Sequence, residues 1–160
     1  MAKTSFRCRV GLLASGLFLV IAAGCAAPSA HAQAATVPPV PPGDARFWFY
    51  RVFFPADTRD MPPISMNGTP IGYALAGTSF YRDVPAGQYH LSVQSVGIDY
   101  HQAQDVAVAP GQEIYVKIAS LPSWVENIGT GYHAGTYYVM IVASQLAALE
   151  LPQTRYSSGN

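Results

Sequence analysis

From Ala45 onward, glycine and proline cut the chain into short apolar and aromatic runs at roughly ten-residue intervals, which leaves no stretch for a long helix before the end. Ala45–Phe53 (ARFWFYRVF) is the first run. Ile64–Met66 and Ile71–Leu75 flank Asn67-Gly68, the dipeptide that best supplies two consecutive left-handed residues for a tight hairpin. Ser79–Val84 leads into Pro85-Ala86-Gly87. Gln88–Val96 alternates, with Tyr89, Leu91 and Val93 on one side and His90, Ser92 and Gln94 on the other. Asp105–Val108 and Glu113–Ala119 flank Pro110-Gly111, and Thr136–Ala143 closes the series. Seven or eight short strands at this spacing predict an all-β fold, an antiparallel β-sandwich, with a barrel as the alternative.

The end of the chain breaks the pattern. Ala143–Leu151 (ASQLAALEL) consists largely of good helix formers and holds no glycine or proline, so a short C-terminal helix is expected there, with Leu146, Ala147 and Leu149 on one apolar side. In the first run Phe47 and Phe49 face one way while Trp48, Tyr50 and Val52 face the other. A strand apolar on both sides is central or covered twice, and the C-terminal helix is the expected second cover.

The first residues read as an address. Lys3, Arg7 and Arg9 precede the apolar run Val10–Ala23, and small residues follow. That run is about 14 residues, short of the roughly 20 that span a bilayer as a helix, so it is expected to be a cleaved export signal. Cleavage after Ala32 or Ala34 yields a soluble exported protein. Alternatively, Ala22-Ala23-Gly24-Cys25 is similar to a lipobox, in which Cys25 carries lipid and the following residues form a tether. The expected organisation is an export signal over 1–34, a proline-rich linker over 35–44, the sandwich over 45–151 and a flexible tail over 152–160.

Charge and cysteine content narrow the function classes. The chain has nine basic and nine acidic side chains, and loss of Lys3, Arg7 and Arg9 leaves a net charge near −3. The remaining basic residues are scattered and form no stripe to neutralise phosphates, so nucleic-acid binding is not expected. Both cysteines, Cys8 and Cys25, lie in the leader, which leaves the exported domain without thiol chemistry.

Catalytic signals are weak. His90, His101 and His133 have Asp83, Asp99 and Asp105 nearby in sequence, but no spacing supplies the three or four converging ligands of a metal site. Asp99 and His101 share one side of an extended segment. There is no G-x-S-x-G elbow. Gly129-Thr130-Gly131 precedes a strand and not the helix that a phosphate-binding loop needs. No metal and no cofactor are expected, and the chain is not expected to be an enzyme.

Aromatic residues carry the remaining signal, with ten tyrosines, seven phenylalanines and two tryptophans in the chain. Trp48, Tyr50, Tyr115 and Tyr138 alternate away from their strands' core side chains, and Trp124 lies in the polar stretch Ser120–Ile128. These five are the candidate binding residues, because large rigid rings bind with little loss of entropy.

The order of these elements resembles a known family. ISMNGTPIGYALAGTSFYRDVPAGQYHLSV (Ile64–Val93) followed by VAPGQEIYVKI (Val108–Ile118), behind the aromatic opening ARFWFYR, is similar to the domain of unknown function 2846 family over about Ala45–Leu151. The turn order is also similar to PEGA-type surface modules. The resemblance implies a small envelope domain, often a lipoprotein, with no assigned activity. The expectation is therefore a non-catalytic exported domain, periplasmic or membrane-anchored, with an envelope protein or glycan as partner and membrane contact only through a lipid on Cys25. Two alternatives stand beside it: a small-molecule or glycan binder with an aromatic pocket under the helix, and a periplasmic enzyme whose site forms only on folding.

Overall fold

Nine strands in two sheets and one short helix make up the computed structural model, which describes residues 37–55, 59–95, 101–120 and 135–158. The strands are β1 (Asp44–Arg51), β2 (Pro63–Met66), β3 (Thr69–Tyr73), β4 (Thr78–Pro85), β5 (Gly87–Val93), β6 (Ala103–Val108), β7 (Glu113–Ser120), β8 (Tyr137–Val142) and β9 (Arg155–Tyr156). Helix α1 (Ser144–Glu150) follows β8, and one 3-10 turn (Leu151–Gln153) joins it to β9. The five-stranded sheet runs β8-β7-β1-β4-β9 and the four-stranded sheet β3-β2-β5-β6. The expected all-β, two-layer architecture with a C-terminal helix is what forms.

β1 is the centre of the larger sheet, as its two apolar faces demand. Its inward residues Ala45, Phe47 and Phe49 are fully buried and pack with Phe80 of β4, Val116 and Ile118 of β7 and Val139 of β8. Ile64, Met66, Leu91, Val93 and Val108 meet them from the other sheet. Rings pack within this layer, with the Phe49 and Phe80 centroids 5.2 Å apart and the Phe47 and Tyr89 centroids 5.5 Å apart in an edge-to-face pair. Burying each Phe side chain contributes about 1.5–3 kcal/mol.

Three features differ from the expectation. Pairing is not wholly antiparallel: β1 runs parallel to β7, and β4 parallel to β9. The Pro85–Gly87 and Pro110-Gly111 turns do not close hairpins but carry the chain from one sheet to the other, since β4 and β7 belong to the large sheet and β5 and β6 to the small one. Both return the chain beside the start of β1, where Gly111 N donates to Asp44 O and Ala86 N to Gly43 O. The third is a correction at the C-terminus. Arg155-Tyr156, expected in a loose tail, form β9 on the edge of β4. Arg155 N donates to Gly77 O and Ser157 N to Ser79 O, so otherwise unpaired carbonyls of an edge strand gain partners.

The proline-rich linker is also partly structured. Asp44 N donates to Pro41 O across a turn with Gly43 at φ 87°, and Pro38 O accepts from the Arg46 guanidinium at 2.7 Å. The segment thus doubles back over the outer side of β1.

Asn67-Gly68 forms the predicted hairpin between β2 and β3, with φ of 50° and 77°. A Cβ at Gly68 would meet nothing within 4 Å, so only the backbone resists a side chain there. Gly68→Ala is expected to destabilise by about 1–2 kcal/mol, measured as a lower urea midpoint with unchanged slope.

Candidate functional site

Strand register sorts the outward residues of β7, β1 and β4 into three rows. Arg46 stands between Glu113 and Asp83, Trp48 between Tyr115 and Tyr81, and Tyr50 between Lys117 and Ser79. The first row is charged, the second aromatic, and the third is capped by the helix.

In the charged row Arg46 is 2% exposed and forms a forked pair with Asp83, Nε to Oδ1 at 2.6 Å and Nη2 to Oδ2 at 2.7 Å. Its guanidinium lies 4.1 Å over the Tyr81 ring, so cation, carboxylate, ring and the Pro38 carbonyl close on one another. The hydrogen bond to Asp83 outweighs burial and holds the Arg46 pKa above its ordinary value.

The aromatic row is half-buried and continuous. The Trp48 and Tyr81 centroids are 5.2 Å apart, and Tyr156 of β9 extends the row at 5.7 Å from Tyr81. On the other side Trp48 Nε1 donates to Glu113 Oε2 at 3.2 Å, and the Tyr115 hydroxyl donates to the same oxygen at 3.0 Å. Burial first, then the bond to Glu113, pushes the Tyr115 pKa up. Burial and the neighbouring Tyr81 do the same for Tyr156. Both phenols are therefore neutral donors at ordinary pH.

The third row lies under α1. Tyr50 is 2% exposed and donates to Glu150 Oε2 at 2.7 Å, while Lys117 Nζ donates to Glu150 Oε1. Burial pushes the Glu150 carboxyl up, but the bonds from Lys117 and Tyr50 prevail and hold it below the ordinary glutamate value. Ala147 is fully buried on the same side of the helix. Leu146 and Leu149, expected to share that side, are 41% and 70% exposed. Ala147 and Glu150, three residues apart on the helix, take the side toward the sheet, with Leu146 at its margin and Leu149 turned away. The space in which an aromatic pocket was anticipated is occupied by Tyr50, Lys117, Glu150 and Ala147.

Of the five candidate residues, Trp48 and Tyr115 come together. Tyr50 sits one row away beneath the helix and is not a surface residue. Tyr138 opposes Ala119 on the edge strand β8, four residues along from the level of Tyr115, or about 14 Å. Trp124, Cys25, His133, Asp99 and the Gly129–Gly131 stretch lie outside the described residues. Tyr81 and Tyr156 are the members that sequence reading missed. Tyr81 alternates away from Phe80 and was findable from that signal, whereas Tyr156 joins only because β9 pairs with β4.

Among the histidines, His90 Nδ1 lies 2.7 Å from Asp105 Oδ1 on the exposed side of the small sheet, at 53% and 87% exposure, where such a pair contributes little. His101 has φ 70° and its carbonyl accepts from Val139 N. Among the described residues no three histidine, cysteine or acidic side chains converge on a metal position.

Fold and outer face together define a two-sheet β-domain with an aromatic row on its larger sheet. No protein-family model and no curated protein matches the chain. Among solved structures, the N-terminal domain of AlgF from P. aeruginosa is similar over 64% of this chain and 98% of that domain, at 18% identity and a TM-score of 0.34. A score of that size assigns neither a shared topology nor a shared role.

Proposed function

We propose that the chain is a non-catalytic exported domain of the bacterial envelope, of the domain of unknown function 2846 kind, which holds an envelope protein on the outer face of its larger sheet. The observation that carries this reading is the row Tyr115–Trp48–Tyr81–Tyr156 across four adjacent strands, left half-exposed between a neutralised ion pair and the helix. Tyrosine and tryptophan dominate the energetics of protein interfaces, and rings fixed by neighbours lose little freedom on binding. Arg46, Asp83, Lys117 and Glu150 are spent on one another, which leaves apolar ring area and the Glu113 carboxylate to meet the partner.

A photocrosslinking residue at Tyr156, in the chain expressed in its exported form, tests this. A discrete adduct is expected there and none at Gln88 on the other sheet. Trp48→Ala should lower adduct yield about tenfold or more, with folding checked by melting. No adduct at Tyr156, or a yield indifferent to Trp48→Ala, removes the support for this face.

A further inference from the structure

The segment before β1 shows one thing that the outer face of the larger sheet holds. Residues 37–43 read VPPVPPG, and the turn at Gly43 brings the segment back so that Arg46 Nη1 donates to the Pro38 carbonyl at 2.7 Å. The same guanidinium lies 4.1 Å over the ring of Tyr81, a member of the aromatic row. A proline carbonyl therefore already sits at the border of that row. The seat is a loose one, because Val37, Pro38, Pro39, Pro41 and Pro42 are all exposed and only Val40 is half-buried.

Backbone chemistry narrows what else the face can take. An added β-strand needs an open edge, but β7, β1 and β4 pair with one another beneath the row. A helix bonds its own carbonyls and has none to offer Arg46 along its length. A proline-rich chain in the polyproline II form has free carbonyls, bonds nothing internally and, at each proline, carries no N–H in need of an acceptor. The row suits such a chain. Trp48 Nε1 and the Tyr115 hydroxyl are already spent on Glu113, so what these residues offer a ligand is ring surface. Proline-rich segments dock on aromatic surfaces, and their preformed shape loses little entropy on binding.

We propose that the partner segment held by this face is a proline-rich extended peptide, which displaces residues 37–42 of the chain from Arg46 and continues over Tyr81, Trp48 and Tyr156. The inference rests on the reading of the face given above and adds the chemistry of what the face binds. The chain's own segment is the resident competitor. It is tethered and so always near, whereas an incoming peptide gains by covering the rings.

The test uses the nitrogen-15-labelled chain in its exported form and the synthetic peptide VPPVPPVPPVPP. The Trp48 indole N–H signal, identified by its loss in Trp48→Phe, is expected to shift saturably with peptide. The same peptide with alanine at every proline should bind about tenfold more weakly or worse. Tyr156→Ser should weaken binding about threefold or more, with folding checked by melting, and Gln88→Ser on the other sheet should leave it unchanged. Replacing residues 37–42 by glycine and serine should strengthen binding about threefold, because the tethered competitor is gone. No saturable shift, equal binding of the alanine peptide, or affinity indifferent to Tyr156→Ser or to the linker replacement overturns the proposal. A photoadduct at Tyr156 without peptide binding also overturns it and leaves the envelope-protein reading in place, whereas peptide binding without an adduct supports it and removes only that choice of partner.

Discussion

Asp83→Ala is expected to destabilise the domain by about 2–3 kcal/mol, between the ranges for an exposed pair and a fully buried one, because Arg46 is covered while Asp83 is 19% exposed. Arg46 cannot lose its proton, is 2% exposed and is held in β1 between two neighbours, so it stays charged where little water reaches it. Without Asp83 the guanidinium keeps only the Pro38 carbonyl, the Tyr81 ring and the field of the Glu113 carboxylate on the neighbouring strand. The double replacement Arg46→Leu with Asp83→Leu should cost much less than the single change, because an apolar pair of similar volume removes both desolvation costs. Urea unfolding of wild type, both single variants and the double variant measures this. A single Asp83→Ala cost under about 1 kcal/mol, the range of an exposed pair, would show that water reaches Arg46 and that the charged row is not closed.

Glu150→Ala is the second large effect, at about 2–3 kcal/mol. The carboxylate accepts from both Tyr50 and Lys117, and its removal strands a buried phenol and a largely covered ammonium. It is also the main polar tie between α1 and the sheet, so amides of Ser144–Glu150 should exchange faster in the variant than in the wild type. The pH dependence has a definite sign on each side. Glu150 titrates in the folded state below its ordinary value of 4.5, so its contribution is present above that pH and lost as pH falls through the lowered value. The Tyr50 phenol is pushed up from 10.0 by burial, then by Glu150, so its contribution is present below that pH and lost as pH rises through the raised value. Melting temperature against pH should therefore show an acid limb that Glu150→Gln makes shallower. An identical acid limb in the variant would place the acid-sensitive group elsewhere.

Much of the fold was legible because it is written in local chemistry. Asn67-Gly68 names its own turn, and Phe47 and Phe49 against Trp48 and Tyr50 declare a strand with two apolar faces. Ser144–Glu150 is helical where good helix formers run without a breaker. The Pro85–Gly87 and Pro110-Gly111 turns were equally visible as turns, yet nothing in them distinguishes a hairpin from a change of sheet. That choice depends on which strand is already beside β1. Half of the aromatic row was legible in the same way, from the alternation that turns Trp48 and Tyr115 outward. Tyr50 obeys the same alternation and is nevertheless buried, because Glu150, one hundred residues later, reaches its hydroxyl.

Sequence by itself determined the strands, the tight hairpin, the C-terminal helix and which side of each strand is apolar, since each follows from backbone preference and side-chain period over a few residues. Tertiary structure alone decided the parallel union of β1 with β7, the capture of Arg155-Tyr156 by the edge of β4, and the alignment of Tyr115, Trp48, Tyr81 and Tyr156 into one surface. Those outcomes rest on pairings between residues dozens of positions apart, and a local pattern states what each strand can offer without stating which neighbour takes it.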